Sequence, residues 1–238
     1  MTHAPDDRAS LLASLRGMLA RHQPAPRAGA VGVAEEIDPA LPGGGLSRAA
    51  IHEVLGEDTG SCTAFCGHLL SRAGGQAAWI EPPRSDDLPW PPGLALFGLD
   101  PACLLLIDAA GEDALWAAEQ ALRSPALAAV VAVLPRLDLA AARRLQLAAE
   151  AGGTLGLLLC PREAQRSEAR PAPTAARTRW RVSPLPGRDG APHRLGATRW
   201  RLDLLLARGG RPARWDVTWD EGRKTLIVDH SSSQAAHG

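Results

Sequence analysis

Residues Ala128 to Cys160 read AAVVAVLPRLDLAAARRLQLAAEAGGTLGLLLC, and the order of signals inside them decides the fold. Ala128 to Leu134 is a short charge-free run, of the kind that forms a strand buried on both faces. Asp138 stands in the N-cap position of a helix over Leu139 to Ala151, which Gly152-Gly153 ends. Leu155 to Cys160 is a second apolar run. A strand, a helix and a strand in this spacing predict parallel pairing, because parallel strands need a crossover connection.

The same grammar extends upstream. Glu112 to Arg123 reads as a helix, with acids in its first turn, Leu115, Ala118 and Leu122 at helical spacing, and Pro125 beyond its end. Cys103 to Ile107 reads as another buried strand, and Gln76 to Ile80 as one broken by Pro82-Pro83. Ser85 to Pro92 is proline-rich and acidic, hence loop. Ala50 to Leu55 reads as a strand, Cys62 to Ala73 as the helix after it, and Leu41 to Leu46 (LPGGGL) as a tight turn. This order predicts an α/β domain with a mainly parallel sheet and helices on both faces.

After Cys160 the texture changes. Pro161 to Ala176 has no periodicity and reads as a mobile loop. Thr178 to Ser183, Thr198 to Leu204 and Arg214 to Trp219 alternate polar and apolar, with a turn at Arg208 to Pro212. They predict an antiparallel extension on one edge of the sheet. The tail from His230 reads as disordered. Residues 7–21 carry Leu11, Leu12, Leu15 and Leu19 on one helical stripe, and His22 to Val33 reads as a linker. That helix is either a separate docking element or folded back on the core. The expected organisation is an N-terminal helix and linker over 1–34, the main domain over 35–228 and a tail over 229–238.

Composition narrows the function. The 238 residues carry 26 basic and 26 acidic side chains, so no global charge draws the chain to nucleic acid or membrane. Locally the balance differs: Asp38 to Glu119 holds twelve acids against three arginines, a net of −9, and Arg162 to Arg201 ten arginines against three acids, a net of +7. The basic strands alternate Arg179 with Trp180, and Arg199 and Arg201 with Trp200. They and the later Trp215 and Trp219 are candidates for contact with a partner or nucleic acid. The alternative is that arginine fills the solvent side of each strand. Arg162, Arg166, Arg170 and Arg177 are candidates for gripping phosphates.

The four cysteines form no CxxC pair and have no histidine at ligand spacing, which argues against a metal site. His52 sits in an expected strand, where a structural role fits better than a catalytic one. The longest apolar run is too short to span a bilayer, and the N-terminus lacks the marks of a signal peptide. A cytoplasmic protein with reduced thiols is expected.

One stretch raises a chemical question. Ile51 to Phe65 (IHEVLGEDTGSCTAF) has the strand, loop and helix layout of a phosphate-binding loop, whose pattern is G-x-x-x-x-G-K-[ST]. Counted from Gly56, the sixth, seventh and eighth places hold Ser61, Cys62 and Thr63. The second glycine of the pattern and its lysine are missing, although Gly60 stands nearby.

The run Ile37 to Leu46, continued through His52-Glu-Val to Gly56, resembles the start of the ATPase core of the RecA recombinase family. Asp113 to Ser124, Leu134 to Asp138 and Arg143 to Gly156 resemble more closely the RecA-like accessory proteins of bacterial SOS mutagenesis, the ImuA family. The resemblance covers roughly residues 35 to 228. It implies a RecA-like core whose phosphate lysine is replaced by Cys62, with Thr63 keeping the magnesium hydroxyl. By the same resemblance the water-activating acid falls near Pro82 or Pro83 beside Glu81. The Walker B aspartate falls on Leu134 or Pro135, and the polar sensor on Cys160 or Pro161. Phosphoryl transfer rests on such positioning groups, so no ATPase activity and no cofactor are expected.

The function implied is a non-catalytic adaptor in SOS-induced translesion synthesis, nucleoid-associated during the damage response. It would bind the RecA recombinase and the polymerase-like partner ImuB, and through ImuB reach an error-prone replicative-type polymerase. DNA contact would be weak or indirect, and no membrane is involved. The alternatives are a weak single-stranded-DNA-binding protein and a cell-division inhibitor of the SulA type.

Overall fold

The computed structural model describes residues 29–56, 58–83, 89–134, 137–160, 173–187 and 197–229. Among these residues eleven strands and four α-helices follow in chain order: β1 (Ala30–Val31), β2 (Leu46–Ser47), β3 (Ala50–Gly56), α1 (Thr59–Ala73), β4 (Ala77–Glu81), α2 (Pro91–Leu96), β5 (Leu104–Asp108), α3 (Gly111–Arg123), β6 (Ala129–Val133), α4 (Leu139–Gly152), β7 (Leu155–Cys160), β8 (Thr178–Leu185), β9 (Arg199–Ala207), β10 (Ala213–Asp220) and β11 (Thr225–Val228). Strands β1 and β2 pair with each other, and the other nine form one sheet in the order β11-β10-β9-β8-β3-β7-β6-β4-β5.

From β8 to β5 every neighbouring pair is parallel. From β8 outward to β11 every pair is antiparallel. The expected fold class is therefore found: a mainly parallel sheet, helices on both faces and antiparallel strands at the C-terminal end.

Local chemistry explains the helices. Asp138 accepts a hydrogen bond from the Ala141 amide at 2.7 Å, and Gly153 at φ +72° ends α4 in the left-handed conformation that glycine adopts without strain. In α3, Glu112 and Asp113 sit at the start and Arg123 at the end, each favoured by the helix dipole. Helix α2 begins at the last two residues of the expected loop, because Pro91 and Pro92 fall in its first turn, where the missing amide costs no bond.

The two faces bury different cores. On one face, α1 and α2 pack under β3, β4, β6 and β7, and β8 to β10 add four buried tryptophans, Trp180, Trp200, Trp215 and Trp219. On the other, α3 and α4 lay alanines against β3, β4, β6 and β7. Two expectations change. Val31 and Val33, placed in a linker by the sequence, lie in the first core. Cys103 to Ile107, read as a buried strand, becomes the sheet edge β5, with Leu105 54% and Leu106 44% exposed.

Candidate functional site

In an open α/β sheet, ligands bind outside the carboxyl ends of the strands, where successive connections diverge to opposite faces. Here α1, which follows β3, lies on one face, while α3 and α4, which follow β5 and β6, lie on the other. The divergence falls at the ends of β3, β7 and β6, and the stretch that resembles a phosphate loop sits there.

Strand β3 ends at Gly56 and α1 begins at Thr59, so Gly60, Ser61, Cys62 and Thr63 all lie within the helix. At the helix N-terminus, where backbone donors would face a phosphate, one donor is taken by the chain itself. The Asp58 carboxylate accepts from the Ser61 amide at 2.7 Å, and the Cys62 amide donates to the Asp58 carbonyl at 3.3 Å.

Cys62 turns inward, not toward solvent. A Cβ placed on Gly56 would lie 2.2 Å from the Cys62 sulfur and 2.7 Å from the Val182 carbonyl oxygen. The thiol therefore fills the space above Gly56, and this close approach is what requires glycine there. Burial, reinforced by nearby Asp58, pushes the Cys62 pKa up to about 12. The group in the lysine's place is thus neutral at physiological pH and brings no positive charge.

Among the described residues, the ends of β4, β6 and β7 carry no lysine or arginine. Leu134, one of the two residues on which the resemblance places the Walker B acid, is buried, and its amide donates to the Leu159 carbonyl at 3.1 Å; the other, Pro135, lies outside the described residues. Cys160 is half-buried at the end of β7. Glu81 closes β4 and is buried, accepting a hydrogen bond from the Trp79 indole at 2.9 Å. His52 is fully buried between the Thr178 hydroxyl, at 2.8 Å, and the Ser47 carbonyl, at 2.9 Å, a structural role for that histidine. One charged pair beneath the site is not apparent in the sequence. Glu53 accepts from Arg179 and from the Thr174 hydroxyl across the β3–β8 pairing.

Two curated proteins named ImuA, from two strains of Caulobacter vibrioides, are each 38% identical to the chain over 164 residues. The match spans 63% of this chain and 66% of each relative. The chain belongs to the ImuA family. No protein-family model matches it.

In this ImuA-family chain the candidate partner residues of the antiparallel strands do not form an open surface. Trp180, Trp200, Trp215 and Trp219 are between 0% and 9% exposed. They pack around α1 and the end of α2, with Phe65 against Trp180 and Phe97 against both Trp200 and Trp219. Arginine takes the other side of each strand, and three of the arginines on β9 and β10 meet acids. Arg199 pairs with Asp229 at 2.6 Å, Arg201 with Asp216 at 2.8 Å, and Arg214 with Asp203. Of the ten arginines counted from Arg162 to Arg201, Arg179, Arg199 and Arg201 meet acids that lie outside that stretch, and Arg177 and Arg181 are exposed. The Arg177 amide donates to the Ile51 carbonyl at 2.9 Å. Leu11, Leu12, Leu15, Leu19, Arg162, Arg166 and Arg170 lie outside the described residues. Among the described residues no three potential ligands cluster as a metal site, and no helix is long and apolar enough to cross a membrane.

Proposed function

We propose that this chain is a non-catalytic accessory protein of SOS mutagenesis, a RecA-like scaffold that works by binding other proteins. Membership in the ImuA family supports the accessory role in the damage response. The observation that carries the non-catalytic part is buried Cys62, a neutral thiol where the resemblance places the phosphate lysine, beside a helix N-terminus whose Ser61 amide Asp58 already caps. Loss of one such transition-state donor typically costs about a hundredfold in rate, and here the lysine and the Walker B acid are both replaced.

The partners proposed are the RecA recombinase and the polymerase-like ImuB, with an error-prone polymerase reached through ImuB, in the cytoplasm. Co-sedimentation with recombinase assembled on single-stranded DNA tests this directly, with free recombinase and bare DNA as controls. Sedimentation that depends on recombinase is the expected result. Sedimentation with bare DNA alone, or with nothing, would remove the recombinase from the proposal. Because β8 to β10 supply core tryptophans, partner contact in that region is tested with a surface change such as Arg181→Glu, not by truncation.

A further inference from the structure

Strand β5 pairs with β4 on one side, and among the described residues nothing pairs with its other side. Its sequence, Leu104-Leu-Leu-Ile-Asp108, shows none of the devices that usually protect an edge: no proline, and no charge until the last residue. Side chains alternate across a strand, so Leu105 and Leu106 point to opposite faces of the sheet, and both are about half exposed. Apolar side chains on both faces beside unpaired backbone donors and acceptors are what an added strand covers.

Charge identifies the kind of strand. Exposed Asp100 precedes the edge, and exposed Asp108, Glu112 and Asp113 cluster at its carboxyl end. From residue 89 to 122 there is no lysine or arginine. Among the described residues, Lys224 reaches the end of α2, where its ammonium donates to the Leu96 carbonyl at 2.9 Å. A second copy of this chain is a poor occupant. Antiparallel pairing of two β5 edges would carry Asp108 of each toward Asp100 of the other, and facing like charges are destabilising.

We propose that the β5 edge is a docking site for an extended segment of a partner protein, apolar in its centre and flanked by lysine or arginine, which adds to the sheet as a tenth strand. This deepens the adaptor reading and rests on it, by naming a surface and the chemistry of the segment that fits it.

The test uses the full chain and a labelled peptide, Lys-Lys-Val-Thr-Val-Ile-Val-Lys-Lys, followed by fluorescence anisotropy. Saturable binding is expected, weakened about tenfold or more by glutamate flanks or by a central proline. Leu105→Lys should abolish binding with the melting temperature unchanged, since the side chain is exposed. Asp108→Asn should weaken the Lys-flanked peptide and spare a serine-flanked one. No saturable binding, or equal binding by Leu105→Lys, would overturn the proposal. So would a concentration-dependent dimer that Leu105→Lys abolishes, because a second copy would then own the edge. Failure here with recombinase co-sedimentation intact removes the β5 site alone. Peptide binding without co-sedimentation removes the recombinase and keeps the site.

Discussion

The two faces of the sheet solve the same packing problem with opposite materials. Beneath α1 and α2 the layer is aromatic, with Phe65, Trp79, Trp180, Trp200, Trp215 and Trp219 among its buried residues. Beneath α3 and α4 it is built of small side chains, with Ala114, Ala118, Ala121, Ala142, Ala148 and Ala149 against Ala78, Ala132 and Val130. The aromatic layer concentrates its stabilisation in a few large residues and has room for buried polar groups. The alanine layer spreads it over many small contacts and brings backbones close together. The first layer should therefore be sensitive to deletion and the second to addition.

The largest expected effect is in the aromatic layer. Trp180 is fully buried, touches Phe65 and Trp215, and donates its indole N–H to the Thr178 hydroxyl at 2.8 Å. Trp180→Ala should cost about 3–5 kcal/mol, read as a lower denaturant midpoint at unchanged slope. Ala118→Gly, its counterpart in the alanine layer, should cost about 1 kcal/mol. Similar losses at the two sites would erase the contrast between the layers.

Acid should weaken the same layer next. His52 and His68 lie on the α1 side, and burial lowers both pKa values from 6.5 to about 4. Between those values the unfolded chain binds protons that the folded chain does not, so stability falls as pH drops from about 6.5 toward 4. At pH 5 the loss relative to pH 7 should be on the order of 2 kcal/mol for each histidine. His68→Leu should flatten its share of the slope, and a slope unchanged in that variant would show that His68 does not carry it.

These contrasts also set what was legible in the sequence. In the alanine layer the rules are local. Asp138 capping and Gly152-Gly153 placed α4 within a residue of its observed Leu139–Gly152, and acids, Arg123 and Pro125 bounded α3 as closely. In the aromatic layer the decisive contacts are between distant segments. The alternation of Arg and Trp in β8 to β10 showed two-faced strands, but not that the tryptophan side closes over α1, so those indoles were candidates for partner contact. The Arg–Asp pairs join residues eleven to thirty positions apart in the chain, beyond any local pattern. A run such as LLLI reads as buried but says nothing about its place in the sheet order, so the edge position of β5 is not legible in it. At the candidate site the loss of the lysine was visible in the sequence. The start of α1 at Thr59 was not, because Gly60 is a poor helix former and hid Asp58 as the cap.

The alanine layer should in turn resist enlargement. Alanine in place of glycine within a helix usually stabilises by up to about 1 kcal/mol. Gly152 should reverse that sign. A Cβ there would lie 2.1 Å from the Leu122 carbonyl oxygen and 2.9 Å from the Arg123 carbonyl carbon, both backbone atoms that cannot rotate away. Gly152→Ala should destabilise by about 1–3 kcal/mol, and a gain in thermal stability would show that α3 and α4 separate easily.

The smallest effect compares the helix caps. Asp58 caps α1 in the aromatic layer and Asp138 caps α4 in the alanine layer, each through one side-chain bond at 2.7 Å to the amide three residues on. Asp58→Ala and Asp138→Ala should each cost about 1 kcal/mol. A capping role alone predicts near-equal losses, and equally that millimolar magnesium-ATP shifts the melting temperature of neither the parent nor Asp58→Ala. Freeing the Ser61 amide leaves Cys62 in place over Gly56, so no cradle opens. A ligand bound at a hundred times its dissociation constant would add about 2.7 kcal/mol to stability. A shift of that size in Asp58→Ala alone would mean that the aspartate, not the thiol, is what keeps nucleotide out.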